Sequence, residues 1–377
     1  MLERVMMIAG EASGDLHGAR VIRELKRLRP SVEVYGIGGD HMRQEGMELL
    51  YHASSLSFMG FVEVVKHLSL IREVESRLEI VLVERPPDVL VLIDYPGFNL
   101  RFARKARRHD IRVLYYISPQ VWAWHKGRVK KMRSLVDRMK VVFPFEAELY
   151  KKEGINVEFV GHPLAESLRS TMTREEFCES VGLAVGKRIL GLFPGSRKQE
   201  IEKIFPTMIG ASIELQKKHD VQVAVGVAPH LGAEELQRFV PAGSPVVLVE
   251  NRTHELMRHA DAAIVTSGTA TLETGWFCTP LVVVYKTSPV SFFIGRMLVD
   301  ISNIGLVNIV AGKTVAPEFL QGEMTVKNLV GAVGRILIDD AYRHTMKVEL
   351  AQIRQKLGQA GASARVAQGI VELGEAA

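Results

Sequence analysis

The sequence predicts an α/β protein of two Rossmann-like, doubly wound domains with a cleft between them. Three observations carry this. Short apolar runs alternate with stretches of helical period from Arg4 to Pro163, and a second such series starts at Arg188, the pattern of parallel sheets covered by helices. The runs end in turns of small or acidic residues, which is where open α/β sheets bind ligands. At 377 residues the chain is too long for one ordinary core and fits two domains of about 150 to 200 residues. The apolar strands lapse around Leu164 to Gly186. The domains are therefore placed at 1–165 and 166–354, with a C-terminal helix, about 355–377, that could pack back on the first.

Taken in order, Arg4 to Ala9 is a short strand, and Gly10-Glu11-Ala12-Ser13-Gly14-Asp15 leads from it into a helix, Leu16 to Leu28, on which Val21, Ile22, Leu25 and Leu28 share a face. Such a turn leaves N–H groups at a helix start for an anion or polar ligand. It lacks the G-x-G-x-x-G spacing, so it makes a weak case for a dinucleotide. Glu33 to Ile37 is the second strand, closed by Gly38-Gly39. Ser57 to Arg72 then runs into a helix continuing to about Glu84, with Lys66, His67 and Arg72 among the hydrophobes. Pattern alone leaves open a core helix with a basic outer stripe and an interfacial amphipathic segment.

The apolar run Val89 to Ile93 has the character of a strand buried on both faces. It ends on Asp94, whose carboxylate would stand on the rim of the cleft; capping its own turn is the competing role. Pro96 and Gly97 break the chain, and Asn99 suits the N-cap of a helix through Arg108. Ile111 to Ile117 is the next strand, followed by Ser118-Pro119-Gln120-Val121-Trp122-Ala123-Trp124-His125, which holds two of the three tryptophans, and by a basic helix from Lys126 to Val136. Lys140 to Phe143, a helix through Lys152 and Val157 to Pro163 complete the first series.

The second series begins with strand Arg188 to Phe193, turn Pro194-Gly195-Ser196-Arg197 and helix Glu200 to His219. Val221 to Val227, Val246 to Val249, Ala262 to Val265 and Leu281 to Tyr285 supply further strands. Thr266 to Glu273, between the last two, is another small-residue turn opening a helix. Val326 to Ala377 is helical and charged.

Composition narrows the class of protein. With 47% apolar and 24% charged residues the chain is that of a globular protein. No run of about 18 apolar residues occurs and the N-terminus enters a strand at Val5, so neither a membrane span nor a signal peptide is predicted and a cytoplasmic location is expected. Cys178 and Cys278 lack metal-type spacing and suit packing positions. The net charge of +5 hides an asymmetry: Arg101 to Lys140 holds 13 Lys or Arg against Asp110 and Asp137, a local +11 against −6 elsewhere. Such a stretch attracts polyanions. Solvated helix faces account for part of it, and with no nucleic-acid module or stacking array present, a membrane or an anionic substrate ranks above nucleic acid.

The turns at Phe193 to Arg197 and Ser267 to Glu273 resemble the donor half of a two-Rossmann-domain, GT-B type glycosyltransferase. Joined with Gly10 to Asp15, Met59-Gly60-Phe61-Val62-Glu63-Val64, Ile93-Asp94-Tyr95-Pro96-Gly97-Phe98-Asn99, Ser118 to Trp124 and Gly161-His162-Pro163, they make the chain resemble the bacterial lipid-A-disaccharide synthases along essentially its whole length. The resemblance implies transfer from UDP-2,3-diacylglucosamine to 2,3-diacylglucosamine 1-phosphate with inversion, giving UDP and the β-1,6 lipid A disaccharide precursor. It places the enzyme at the anionic inner face of the inner membrane of a Gram-negative cell, and a homodimer remains open.

Inverting transfer to a hydroxyl wants a base on the acceptor and cations or N–H groups on the departing diphosphate. Asp94 matches the family's proposed base, with Glu11 as a possible partner. Arg197 matches the arginine beside the donor, where its fork suits phosphate oxygens. Gly195, Ser196, Gly268, Thr269 and Thr271 would add N–H and hydroxyl donors at helix starts, so neither a metal nor a cofactor is required. Glu273 could hold ribose hydroxyls, and Asn308 matches a polar position near the donor. Val62, Val64, Val65, Leu68 and Ile71 match a membrane-docking segment. The resemblance allows a second acid where this chain has Gly97, so no paired carboxylate is available there and Asp94 would act alone or with Glu11, whose alternative role is to brace its own turn. Three other readings stay open: another UDP-sugar enzyme of this architecture, whether a transferase or an epimerase; a two-domain binding protein, disfavoured by the carboxylate and arginine assigned to one cleft; and an NAD enzyme, disfavoured by the missing fingerprint.

Overall fold

A computed structural model describes residues 2–55, 68–119, 126–168, 170–229, 231–287 and 303–376. The chain divides into two compact units, Met1–Glu166 with Leu357–Ala377, and Ser167–Lys356.

The first unit is built on a parallel sheet of seven strands: β1 (Arg4–Ala9), β2 (Glu33–Gly38), β3 (Glu48–His52), β4 (Val89–Ile93), β5 (Arg112–Tyr116), β6 (Arg138–Val141) and β7 (Val157–Phe159), in the order 3-2-1-4-5-6-7. The direction of winding reverses between β1 and β4, because the chain fills one side of β1 before crossing to the other. All five residues of β4 are fully buried, which requires helices on both faces of the sheet and explains its unbroken apolar sequence. The C-terminal helix Ala362–Glu375 packs on the helix Ala12–Leu28 and on β4 and β5. β3 is absent from the sequence reading. Its residues Glu48-Leu49-Leu50-Tyr51-His52 mix polarity and only half bury at the sheet edge, so no clear period marks them.

The second unit repeats the plan with six parallel strands: β8 (Arg188–Phe193), β9 (Val221–Gly226), β10 (Val246–Val249), β11 (Ala262–Thr266), β12 (Leu281–Tyr285) and β13 (Glu318–Leu320), ordered 10-9-8-11-12-13. Its reversal lies between β8 and β11. The three-residue edge strand β13 was likewise invisible in the sequence.

Three expectations need correction. Asn99 is not an N-cap: the helix is Pro96–Arg108, with Pro96 at its first position and Tyr95 as the cap, because proline's fixed φ suits a helix start. Ile71, assigned to membrane docking, is 4% exposed and packs into the core with Val74, Leu78, Phe98 and Phe102. Of its companions, Val62, Val64 and Val65 and the side chain of Leu68 lie outside the described residues. Third, the basic stretch is in part neutralised. Arg101 pairs with Glu75 at 2.7 Å, Lys105 with Glu79 at 2.6 Å and Arg107 with Asp137 at 2.8 Å, so two of these cations are paired with acidic residues of the helix Leu68–Glu84. Arg104, Arg108, Lys130, Lys131 and Arg133 stay exposed.

Candidate active site

Register brings the first unit's turns together. Ala9 lies opposite Ile93, and Ile93 opposite Tyr116, so the turns after β1, β4 and β5 leave the sheet side by side at the reversal, where ligands of open α/β sheets bind. Glu11 is exposed at the N-cap of the helix Ala12–Leu28. Asp94 and Tyr95 follow β4 in consecutive left-handed conformations, φ +46° and +47°, which for non-glycine residues store about 1 kcal/mol or more each. The turn after β1 must make room for them. A Cβ on Gly10 would lie 2.3 Å from the Tyr95 ring, so only glycine fits beneath that ring.

Asp94 is half-buried. Burial and then the charge of Glu11 raise its pKa to about 6, against the opposing pull of the Tyr95 backbone N–H. A carboxylate so placed can accept a proton near neutral pH. Asp15, in the same motif as Glu11, has a different task. Its buried carboxylate accepts from the backbone N–H groups of Gly39, His41 and Met42 at 2.7 to 3.1 Å and ties the turn after β2 to the first helix.

The second unit encloses a cavity of about 680 Å³ at its own reversal. Phe193 stands opposite Val265, so the turns after β8 and β11 flank it. Gly195, Ser196, Arg197, Gly268, Thr269 and Glu273 all line it. Gly195 and Gly268 hold φ of +98° and +143°, conformations natural to glycine alone. Gly268 caps the helix Thr269–Trp276 and Arg197 caps Lys198–Lys218, so N–H groups of two helix starts belong to these turns. The Arg197 guanidinium is largely exposed and pairs with Glu200 at 2.9 Å. Glu273 is half-buried, and burial pushes its pKa up to about 7.

Two residues assigned to the donor do not reach the cavity. Thr271 is fully buried; its hydroxyl donates to the Gly268 carbonyl at 2.8 Å and accepts from the Val307 N–H at 3.4 Å. Asn308 is fully buried too. Its amide nitrogen donates to the Ala316 carbonyl and Glu318 at 2.7 Å each, and its oxygen accepts from Val315 and Ala316 at 2.8 and 2.9 Å. Both brace the turns behind the cavity wall, because their hydrogen-bonding capacity is taken up by the protein. Conversely, Asn251, Arg252 and Thr253 line the cavity and were missed. They follow β10, and the strand-end rule applied to the other turns would have found them. Arg252 is exposed and has no ion pair among the described residues.

A family model described as Lipid-A-disaccharide synthetase matches residues 5–369. The lipid-A-disaccharide synthase of Geobacter sulfurreducens is 45% identical, covering 98% of this chain and 97% of its own; that of Myxococcus xanthus is 40% identical with the same coverage. Among solved structures, the UDP-GlcNAc 2-epimerase of Neisseria meningitidis bound to UDP-GlcNAc aligns with a TM-score of 0.66 at 15% identity, over 98% of this chain and 100% of that one. CalG4, the calicheamicin glycosyltransferase, aligns with a TM-score of 0.63 at 15% identity over 99% and 98%. At that identity the two structures speak for the fold alone.

Proposed function

The chain belongs to the lipid-A-disaccharide synthase family, glycosyltransferases that form the lipid A disaccharide, and from that premise we propose that it joins UDP-2,3-diacylglucosamine to 2,3-diacylglucosamine 1-phosphate with Asp94 as the general base. The acceptor's 6-hydroxyl oxygen attacks the donor's anomeric carbon, and its proton passes to Asp94. The bond from that carbon to the diphosphate oxygen breaks, and UDP departs with the electron pair. Attack from the face opposite the leaving group gives the β-1,6 linkage with inversion. The observation that carries the assignment is the half-buried Asp94 carboxyl at the reversal of the first sheet, raised to about 6. Such a group is ionised at neutral pH yet basic enough to take a proton in the transition state.

UDP belongs to the cavity of the second unit, whose volume lies within the usual range for small-molecule sites. Arg197 answers the charge growing on the diphosphate, with N–H groups of the Gly195-Ser196 and Gly268-Thr269 turns beside it. Glu273 accepts from the ribose hydroxyls. Glu11 tunes Asp94 by its charge and exchanges no proton with substrate. Both substrates carry acyl chains, and burying each methylene in a bilayer is worth about 0.8 kcal/mol. The enzyme therefore works at the anionic inner face of the inner membrane, held by exposed cations such as Arg104, Arg108, Lys130 and Lys131. No helix among the described residues is long and apolar enough to cross a bilayer.

The test is direct: incubate the purified protein with both substrates and detect UDP and the disaccharide by mass. No disaccharide from wild type refutes the substrate assignment. Disaccharide from Asp94→Asn at more than about a tenth of the wild-type rate refutes the base.

A further inference from the structure

We propose that Asn99 and Tyr115 form a clamp on the Asp94 backbone carbonyl and are positioning residues for the transfer reaction. The inference rests on the assignment of Asp94 as base. Asn99 Nδ2 donates to the Asp94 carbonyl oxygen at 2.7 Å and to that of Ile93 at 3.2 Å, and the Tyr115 hydroxyl donates to the same Asp94 oxygen at 2.6 Å. Both residues are fully buried, Asn99 in the first turns of the helix Pro96–Arg108 and Tyr115 on β5.

The arrangement is more than a local tie. A peptide that enters two consecutive left-handed residues is not held there by its own conformational preference. It has to be held by its surroundings, and here two donors from different elements converge on one oxygen. The amide of Asn99 serves the two carbonyls at the expense of its own oxygen: Oδ1 is buried without a hydrogen-bond partner among the described residues. A side chain that only filled space would be better apolar, since an orphaned polar atom is unfavourable in a core. The clamp therefore sets the direction in which the Asp94 carboxyl leaves the strand end. Misplacing a reacting group by about 1 Å can lower a rate roughly a hundredfold.

The test compares Asn99→Leu, which keeps bulk and removes the donor, with Tyr115→Phe, which removes only a hydroxyl. Kinetics with both substrates, UDP affinity and melting temperature are measured on each, with Asp94→Asn in parallel. Each clamp variant is expected to lose about ten- to a hundredfold in kcat, with the KM for donor and the UDP affinity within about twofold of wild type. The double variant is expected to lose less than the product of the two, because both donors act on one oxygen. The acid limb of kcat against pH is expected to move toward lower pH as the carboxyl swings into water. The groups that face Asp94 are the Glu11 carboxylate, the Tyr95 backbone N–H and the Tyr115 phenol, which stays neutral through that range.

A purely structural role would lower the melting temperature and the folded fraction while leaving kcat per folded enzyme and the acid limb unchanged, and that result overturns the clamp. If Asn99→Leu does not fold, Tyr115→Phe decides: wild-type kcat and pH limb in that variant overturn the proposal. The two failures are distinguishable, because an active Asp94→Asn removes the base assignment itself, whereas an inactive Asp94→Asn beside fully active clamp variants removes only the clamp.

Discussion

Replacing Glu11 by Gln deletes one charge beside the proposed base and leaves Asp94 and the hydrogen bonds to its backbone in place. Asp94 is raised from 3.8 to about 6, burial being the larger cause and the Glu11 carboxylate the next. A general base works in its ionised form, so kcat/KM rises as pH climbs through its pKa in the free enzyme. Withdrawing the like charge makes ionisation easier, and the acid limb must move to lower pH. Because burial stays, the move should be about half a unit to one unit, under roughly 1.4 kcal/mol of repulsion. The assay is the initial rate of UDP release in mixed micelles of both substrates between pH 4.5 and 9, with UDP affinity as a control for the donor site. A limb that stays in place, or moves to higher pH, refutes the electrostatic coupling. A loss of about a hundredfold that persists at pH 8 refutes the tuning role from the other side, since it would make Glu11 a direct participant.

Four further outcomes are expected. Asp94→Asn should lose about two to four powers of ten in rate and gain stability: a raised folded pKa means stability is complete below about 4 and falls as pH rises through 6, so the variant should melt higher than wild type at pH 8, by up to roughly 3 kcal/mol, and equally at pH 4. Equal melting at both pH values would contradict the burial of the carboxylate. Arg197→Ala should weaken UDP binding and turnover, with Arg197→Lys rescuing only in part because an ammonium cannot form the fork; a fully active Lys variant in the same assays would sink bidentate contact. Ile71→Ala should lower stability by about 2 to 5 kcal/mol in denaturant and leave co-sedimentation with anionic vesicles unchanged, whereas weaker vesicle binding with unaltered stability would return Ile71 to the membrane face. Gly10→Ala should displace the Tyr95 ring and destabilise by about 1 to 3 kcal/mol, and Tyr95→Ala in the same chain should restore most of that loss; no rescue would place the clash elsewhere.

Most of the architecture was legible because most of it rests on burial. A strand covered on both faces has to be apolar along its length, and β1, β4, β8 and β12 could be bounded from sequence nearly to the residue. Edge strands escape that constraint, and β3 and β13 were lost with it. Helix starts were misplaced for a related reason. Asn99 has the chemistry of an N-cap, but the same amide three residues inside a helix can reach back to the carbonyls that precede it. The sequence offers the functional group and withholds the partner.

The site divides along the same line. Residues whose placement depends on the chain's own turn could be located from sequence: glycine at positive φ, a carboxylate at a strand end, an arginine opening a helix. Residues whose role depends on a distant neighbour could not. Thr271 and Asn308 lie beside such turns and look like ligand donors, yet Glu318, ten residues beyond Asn308 and on β13, is one of the partners that take up the amide. Ile71 belongs to an apolar segment of basic flavour, and its place in a buried cluster with residues of other elements, Phe98 and Phe102 among them, makes it core. The two units also show one topology presenting two different sets of side chains at its strand ends. In each, register sets two turns side by side at the reversal of the sheet; in the first those turns carry Glu11 and Asp94, and in the second Arg197 and the N–H groups of glycine-led helix starts. The proposed reaction needs a base raised toward neutrality and positive charge for a departing diphosphate, and opposite electrostatics at equivalent places in two like sheets suit that proposal. The fold gives the places, and the side chains at the strand ends decide what each place can do.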